Sequence, residues 1–220
     1  MSYTLIVGTK SWSSWSLRPY LALSATGQPF QEKLIQLRAS QHNATRDTIR
    51  KFSGAGRVPV LQIEEAGQIV TVWDSLAICE TIAERHPEAH LWPDDWQVRA
   101  VARSYAAEMH SGFPDLREQL SMDFARTKSL PELRPQTREQ IERILSSWEA
   151  ALAEHGQDGG FLFGRFSIAD CMYAPVVSRF TTFGVETSRP VRDYMDRIWA
   201  LPAMQAWMTA AKQEVGEGIA

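Results

Sequence analysis

The sequence predicts two units of different class, a mixed α/β unit over residues 1–85 and an all-helical unit over residues 94–220, joined by a linker at 86–93. Three observations carry this reading. Short β-like runs alternate with helical ones up to Arg85, the strand signal vanishes after about residue 92, and apolar residues then recur at steps of three and four, the stripe of an amphipathic helix.

In chain order, Tyr3–Val7 reads as a strand rich in β-branched and aromatic residues, and Ser16–Ala25 as a helix that stops before Gly27-Gln28-Pro29. Glu32–Leu37 reads as a second strand, followed by a segment with no clear period. Val58–Ile63 and Gln68–Val72 read as a hairpin turning through Glu65-Ala66-Gly67, and Asp74–Arg85 as a helix halted by His86-Pro87. The order βαβ, then ββα, implies one mixed sheet with helices packed on it. Beyond the linker, Val98, Val101, Ala102, Tyr105, Met109, Phe113, Leu116 and Leu120 mark one face of a long helix. Pro114 cannot donate to the carbonyl of His110, so that helix should kink or stop there. Ile141, Ile144, Leu145, Trp148 and Leu152 repeat the pattern, and Ser167–Phe183, Val191–Leu201 and Met204–Lys212 supply three more helical stretches.

Composition removes several function classes. The 220 residues include 8 Trp, 9 Phe and 5 Tyr with a formal charge of only −3, which is not a disordered signature. No apolar run approaches the roughly 18 residues that span a bilayer. The first residues lack the basic and apolar segments of a secretory signal, so a cytosolic protein is expected. Residues 1–85 hold 9 Lys+Arg against 7 Asp+Glu and the remainder 14 against 19, so the first unit is mildly cationic. That suits a small anionic ligand. Without a Lys/Arg block interleaved with aromatics, neither nucleic acid nor membrane is expected as a partner. Cys79 and Cys171 cannot form a disulfide framework and sit in helical patterns as small hydrophobes. The five histidines are scattered without ligand spacing, so no metal is expected.

Several local features carry chemistry or mimic it. Pro59 sits inside Gly56-Arg57-Val58-Pro59-Val60-Leu61. It cannot donate to a strand ladder and belongs at an edge, at a strand start in trans, or after a cis bond. Ser11, Ser13, Ser14 and Ser16 lie between the first strand and the first helix, where serines commonly cap helices. Asp74-Ser75 opens a helix and by itself reads as an N-cap, though such a terminus also receives anions. Ser167-x-x-Asp170 is the spacing of a capping box.

Four segments together resemble the cytosolic glutathione transferase family over nearly the whole chain. They are Ser11-Trp12-Ser13-Ser14-Trp15-Ser16-Leu17-Arg18-Pro19-Tyr20-Leu21-Ala22-Leu23, the Gly56–Leu61 strand entry, Trp73-Asp74-Ser75-Leu76-Ala77-Ile78, and Phe166-Ser167-Ile168-Ala169-Asp170. The resemblance implies a thioredoxin-like glutathione-binding domain followed by a helical electrophile-binding domain, in a cytoplasmic homodimer whose co-substrate is glutathione. It implies a cis peptide at Pro59, with Val58 offering its backbone to the cysteinyl part of glutathione. Asp74 and Ser75 would hold the γ-glutamyl group, and Lys51 and Arg57 are candidates for the glycyl carboxylate or else solvated surface cations. A hydroxyl that donates to the sulfur lowers a thiol pKa from its free value near 8.5. Ser13 is the first candidate for that role and Ser14 the second. The family's electrophile pocket faces the first long helix, which brings in Arg103, Met109 and His110, His110 being equally readable as a structural histidine. Attack of the thiolate on a small apolar electrophile is the activity implied. Ser111-Gly112 is similar to zeta-type members, which isomerise maleylacetoacetate, although Trp15 stands where those carry cysteine. A non-catalytic glutathione-binding module is the remaining alternative.

Overall fold

The structure, a computed structural model, describes residues 1–37 and 42–219, His42 by its backbone alone. The first part runs β1 (Ser2–Gly8), α1 (Ser14–Ala25), β2 (Gln31–Ile35), α2 (His42–Arg50), β3 (Val60–Glu65), β4 (Gln68–Trp73) and α3 (Ser75–Arg85). The second is helical: α4 (Trp96–Ser111), α5 (Pro114–Gln119), α6 (Pro135–His155), α7 (Ile168–Phe183), α8 (Arg189–Ala200) and α9 (Pro202–Gly216). This is the thioredoxin-like sheet plus helical bundle that the sequence predicts.

The four strands form one sheet in the order β2-β1-β3-β4. β1 and β2 are parallel, as a helical crossover requires, whereas β3 runs antiparallel to both β1 and β4. Residues 66 and 67 turn the β3–β4 hairpin with φ of 50° and 76°, the two positive values a tight hairpin turn demands. Strand alternation divides β1 between two layers. Leu5 and Val7 join the main core with Leu17 and Leu21 of α1 and Ile78 and Ile82 of α3. Ile6 points to the other face, where it meets Ile35, Val60 and Ile49 of α2.

Helix α7 is buried along nearly all its length, as expected for a helix apolar on every side, and it packs against both α1 and α4. Its start is the predicted capping box: the Asp170 carboxylate accepts from the Ser167 amide at 2.8 Å and the Leu162 amide at 3.2 Å. The long helix expected over Val98–Leu120 is two. α4 ends at Ser111, Phe113 adopts a left-handed φ of 60°, and Pro114 opens α5 because it needs no donor at a helix start. The second strand is shorter than expected, ending at Ile35 instead of Leu37, and β3 begins at Val60, after the proline. Helix α2 fills the stretch read as having no period.

Candidate active site

The site grows from the end of β1. After Gly8 the chain turns through Thr9–Ser13, held by the Ser13 amide donating to the Thr9 carbonyl at 2.9 Å, and Ser13 becomes the N-cap of α1. Its hydroxyl does not cap a backbone amide. It lies 2.8 Å from the Ser16 hydroxyl, which also accepts from the Gly8 amide at 3.0 Å. Ser14, the first helical residue, is equally buried but lines neither of the cavities at this place.

The helical part staples this loop from outside. The Lys10 amide donates to the Glu214 carboxylate at 2.6 Å, Trp207 Nε1 donates to the Lys10 carbonyl at 2.9 Å, and the Phe124 amide donates to the Ser11 carbonyl at 3.0 Å. Lys10 Nζ pairs with Glu32 at 2.7 Å.

Beside the loop lies a cleft of about 730 Å³, lined by Trp15, Arg46, Ala55, Gly56, Arg57, Val58, Pro59, Trp73, Asp74, Ser75 and His110. The Val58–Pro59 peptide is cis, against the trans geometry that general proline statistics favour. Asp74 is the N-cap of α3 at a φ of 77°, a conformation costly for a residue with a Cβ. Its carboxylate accepts from the Leu76 and Ala77 amides at 2.9 and 3.2 Å. The Ser75 hydroxyl, also on this cleft, has no hydrogen-bond partner among the described residues. An acceptor on one side and a free hydroxyl at a helix N-terminus on the other suit the ammonium and carboxylate of an amino acid end group.

A second cavity, about 420 Å³ and mostly apolar, adjoins the first through Trp15, Arg46, Gly56, Arg57 and Val58. Trp12, Leu37, Thr45, Ile49 and Ser13 complete it. The apolar space beside Ser13 is thus built by the β1–α1 loop and α2.

Residues expected at the electrophile pocket separate here. His110 lines the main cleft, with Nε2 at 3.2 Å from the Asp74 carboxylate and its ring edge-on to Trp15. Met109, one position earlier and rotated by about 100° around the helix, is 1 % exposed in the core. Arg103, two turns away, pairs with Glu80 at 3.4 Å and lies over Trp92, outside the cleft lining. Of the two cations proposed for the glycyl carboxylate, Arg57 lines both cavities, whereas Lys51 lies in a different depression with Lys33 and Phe52. Cys79 and Cys171 are buried free thiols, pushed up from the ordinary cysteine value by burial. Among the described residues, no group of three or more His, Cys, Asp or Glu is arranged to hold a metal ion.

Sequence reasoning missed Arg46 and the roles of Trp15, Trp73 and Arg18. Arg18 is fully buried, and none of its three guanidinium nitrogens has a hydrogen-bond partner among the described residues. It lies 4.4 Å from the centroid of the Trp15 ring, and Arg117 lies 4.8 Å from the same centroid. Burial, with the nearby Arg117 charge, pushes Arg18 down to about 9, so it remains a cation at neutral pH. Burial alone takes Arg117 to about 10, and burial plus the Arg117 charge takes Arg179 to about 9. His110 is held below the usual imidazole value by burial, Asp74 opposing and Arg18 and Arg117 reinforcing that shift. The floor behind the cleft is therefore positive.

A mixed four-stranded sheet with a cis-proline just before β3, a serine at the N-terminus of its first helix and a polar helix start at α3 place the first unit in the thioredoxin-like fold class. The family model for the glutathione S-transferase N-terminal domain matches residues 12–85, and that for the C-terminal domain matches residues 131–210. The chain is 30% identical over 179 residues to glutathione S-transferase 1 of Dianthus caryophyllus, covering 80% of this chain and 77% of that one. A solved structure of a glutathione transferase homologue from Burkholderia with bound glutathione has a TM-score of 0.71 and 25% identity, covering 97% of this chain and 99% of that one. A maleylacetoacetate isomerase from Anaeromyxobacter dehalogenans with glutathione in its active site has a TM-score of 0.68 and 28% identity, over 94% of this chain and 95% of that one. The chain belongs to the glutathione transferase family, with a resemblance to its zeta-type members.

Proposed function

We propose that this protein binds glutathione and uses Ser13 to hold its sulfur as a thiolate for attack on a small apolar electrophile. The observation that carries the reading is the convergence of Ser13, Val58-cis-Pro59 and Asp74-Ser75 on one continuous pair of cavities. Asp74 receives the γ-glutamyl ammonium, and the Ser75 hydroxyl with the α3 N-terminus receives its carboxylate. Val58 pairs with the cysteinyl backbone, and Arg57 with Arg46 faces the glycyl carboxylate. The thiol proton leaves to water. A hydroxyl hydrogen bond, the α1 dipole and the buried Arg18 all favour the anion that remains. The sulfur lone pair then forms the new S–C bond, against an apolar substrate seated beside Trp12, Leu37 and Ile49.

Isothermal titration with glutathione tests the central claim, and no heat at millimolar ligand would sink it. A cytoplasmic homodimer is proposed from family likeness. The absence of a helix long and apolar enough to cross a membrane among the described residues is compatible with it.

Zeta-like isomerisation, in which glutathione adds across a cis double bond and leaves after rotation, is the second reading. The isomerase relative and Ser111-Gly112 favour it, while Trp15 at the zeta cysteine position speaks for transfer. Turnover of maleylacetoacetate separates the two. Glutathione binding with no activity on either class of substrate would instead support a binding module.

A further inference from the structure

We infer that Ser16 is a positioning residue for the thiolate, acting through a switchable hydrogen-bond chain from the Gly8 amide through Ser16 to Ser13. This rests on the Ser13 reading above and extends it to a residue that does not touch the ligand.

The geometry is closed on three sides. Ser16 is fully buried on the third residue of α1, and its oxygen accepts from the Gly8 amide at 3.0 Å while lying 2.8 Å from the Ser13 oxygen. A Cβ on Gly8 would stand 3.0 Å from the Ser13 oxygen and 2.4 Å from Leu37 Cδ1, so a side chain there would displace Leu37 and crowd the Ser13 hydroxyl. Both side-chain hydrogen bonds of Ser16 seen among the described residues are ones its oxygen accepts, which leaves its own hydrogen available to Ser13. The N-cap hydroxyl of Ser13 is not engaged with a helix amide, which leaves it free to turn.

A hydroxyl can donate one hydrogen and accept two, and it rotates to suit its neighbours. Without an anion, Ser13 donates to Ser16. When a thiolate lies against Ser13, the Ser13 hydrogen turns to sulfur and the Ser16 hydrogen turns to a lone pair of the Ser13 oxygen. Each hydroxyl keeps its own hydrogen, and no proton is transferred between residues. The Gly8 amide polarises Ser16, Ser16 polarises Ser13, and the terminal donor is strengthened by the chain behind it. Ser16 also restrains the Ser13 rotamer, so less ordering is required when the sulfur arrives.

The test is the ultraviolet thiolate absorbance of the glutathione complex against pH, taken as a difference from the free protein. Ser13→Ala should raise the bound thiol pKa by about one to two units, the size expected for one hydrogen bond to a charged group. Ser16→Ala should raise it by roughly half as much, since the donor remains but is no longer polarised. The double variant should match Ser13→Ala alone. Ser16→Cys, close in size but a weak donor, should behave like Ser16→Ala and serves if the alanine variant fails to fold. A wild-type thiol pKa in a folded, glutathione-binding Ser16→Ala or Ser16→Cys protein overturns the chain. Additive shifts in the double variant do the same. An unchanged pKa in Ser13→Ala is a separate result, which removes the Ser13 reading itself.

Discussion

Arg18 carries an unusual electrostatic load for its place. A buried guanidinium without a carboxylate is costly, and replacing such a charge by an apolar side chain of similar volume is often neutral or stabilising. Stacking on Trp15 returns a part of that cost, about 2 kcal/mol or more for a desolvated pair. Arg18→Met is therefore expected to unfold at an equal or higher denaturant midpoint, by up to about 3 kcal/mol in stability. The same variant should raise the thiol pKa of bound glutathione, because it removes positive charge from behind the cleft. A variant that is both less stable and unchanged in thiol pKa would contradict this account. The two cations once paired for the glycyl carboxylate also part company. Arg57→Ala should weaken glutathione about tenfold or more in calorimetry, the loss of one charged hydrogen bond, whereas Lys51→Ala should leave its affinity unaltered.

Among the elements, α7 depends most on its first turn. Asp170 is fully buried and accepts from the Ser167 and Leu162 amides and the Ser167 hydroxyl. Asp170→Ala would leave those donors buried without partners, at an expected cost of about 2–4 kcal/mol in chemical denaturation. Burial outweighs the hydrogen bonds and raises this carboxyl from 3.8 to about 6. The folded state then binds the proton more tightly than the unfolded chain, so this group's contribution to stability falls as pH rises from about 4 to about 6. Wild type should show that component in stability measured across those pH values, and Asp170→Ala should lack it. In helix α4 a single residue step sends Met109 into the core and His110 to the cleft, and only the rotation between neighbours separates them.

Over the whole molecule, the site loop of the sheet unit is held by the last helix of the chain. Trp207 and Glu214 of α9 bind the backbone of Lys10, three residues before Ser13. Trp207→Phe keeps most of the ring volume and removes the donor to the Lys10 carbonyl. It should slow turnover severalfold and speed hydrogen exchange of the Ser13 amide, with a stability loss of about 1–2 kcal/mol. Unchanged exchange at Ser13 would mean that α9 does not restrain the loop. Two small units packed this way share one core, so the site is a property of both.

Much of the architecture is legible in the sequence because it follows from local periodicity. The β-like runs of β1 and β4, the glycine turn at 66–67, the stop at Pro114 and the Ser167–Asp170 box are each decided within a few residues of chain. Helix α2 is not legible that way: among its described side chains Ile49 alone is in the core, so a single apolar position marks its inner face and the sheet surface beneath it supplies the reason for its place. Arg46 of the cleft was hidden with it. The serine cluster, Arg57, Val58-Pro59 and Asp74-Ser75 stand out in the sequence as chemistry-bearing segments. The meeting of Ser13, Arg57, Val58-Pro59 and Asp74-Ser75 on two adjoining cavities, the burial of Arg18, the separation of Met109 and Arg103 from His110, and the placing of the apolar cavity against α2 are decided by packing. The physical reason is range. Helix capping, turn chemistry and hydrophobic periodicity act between near neighbours in the chain, whereas a cavity and the charge around it are made by side chains that only the folded backbone brings together.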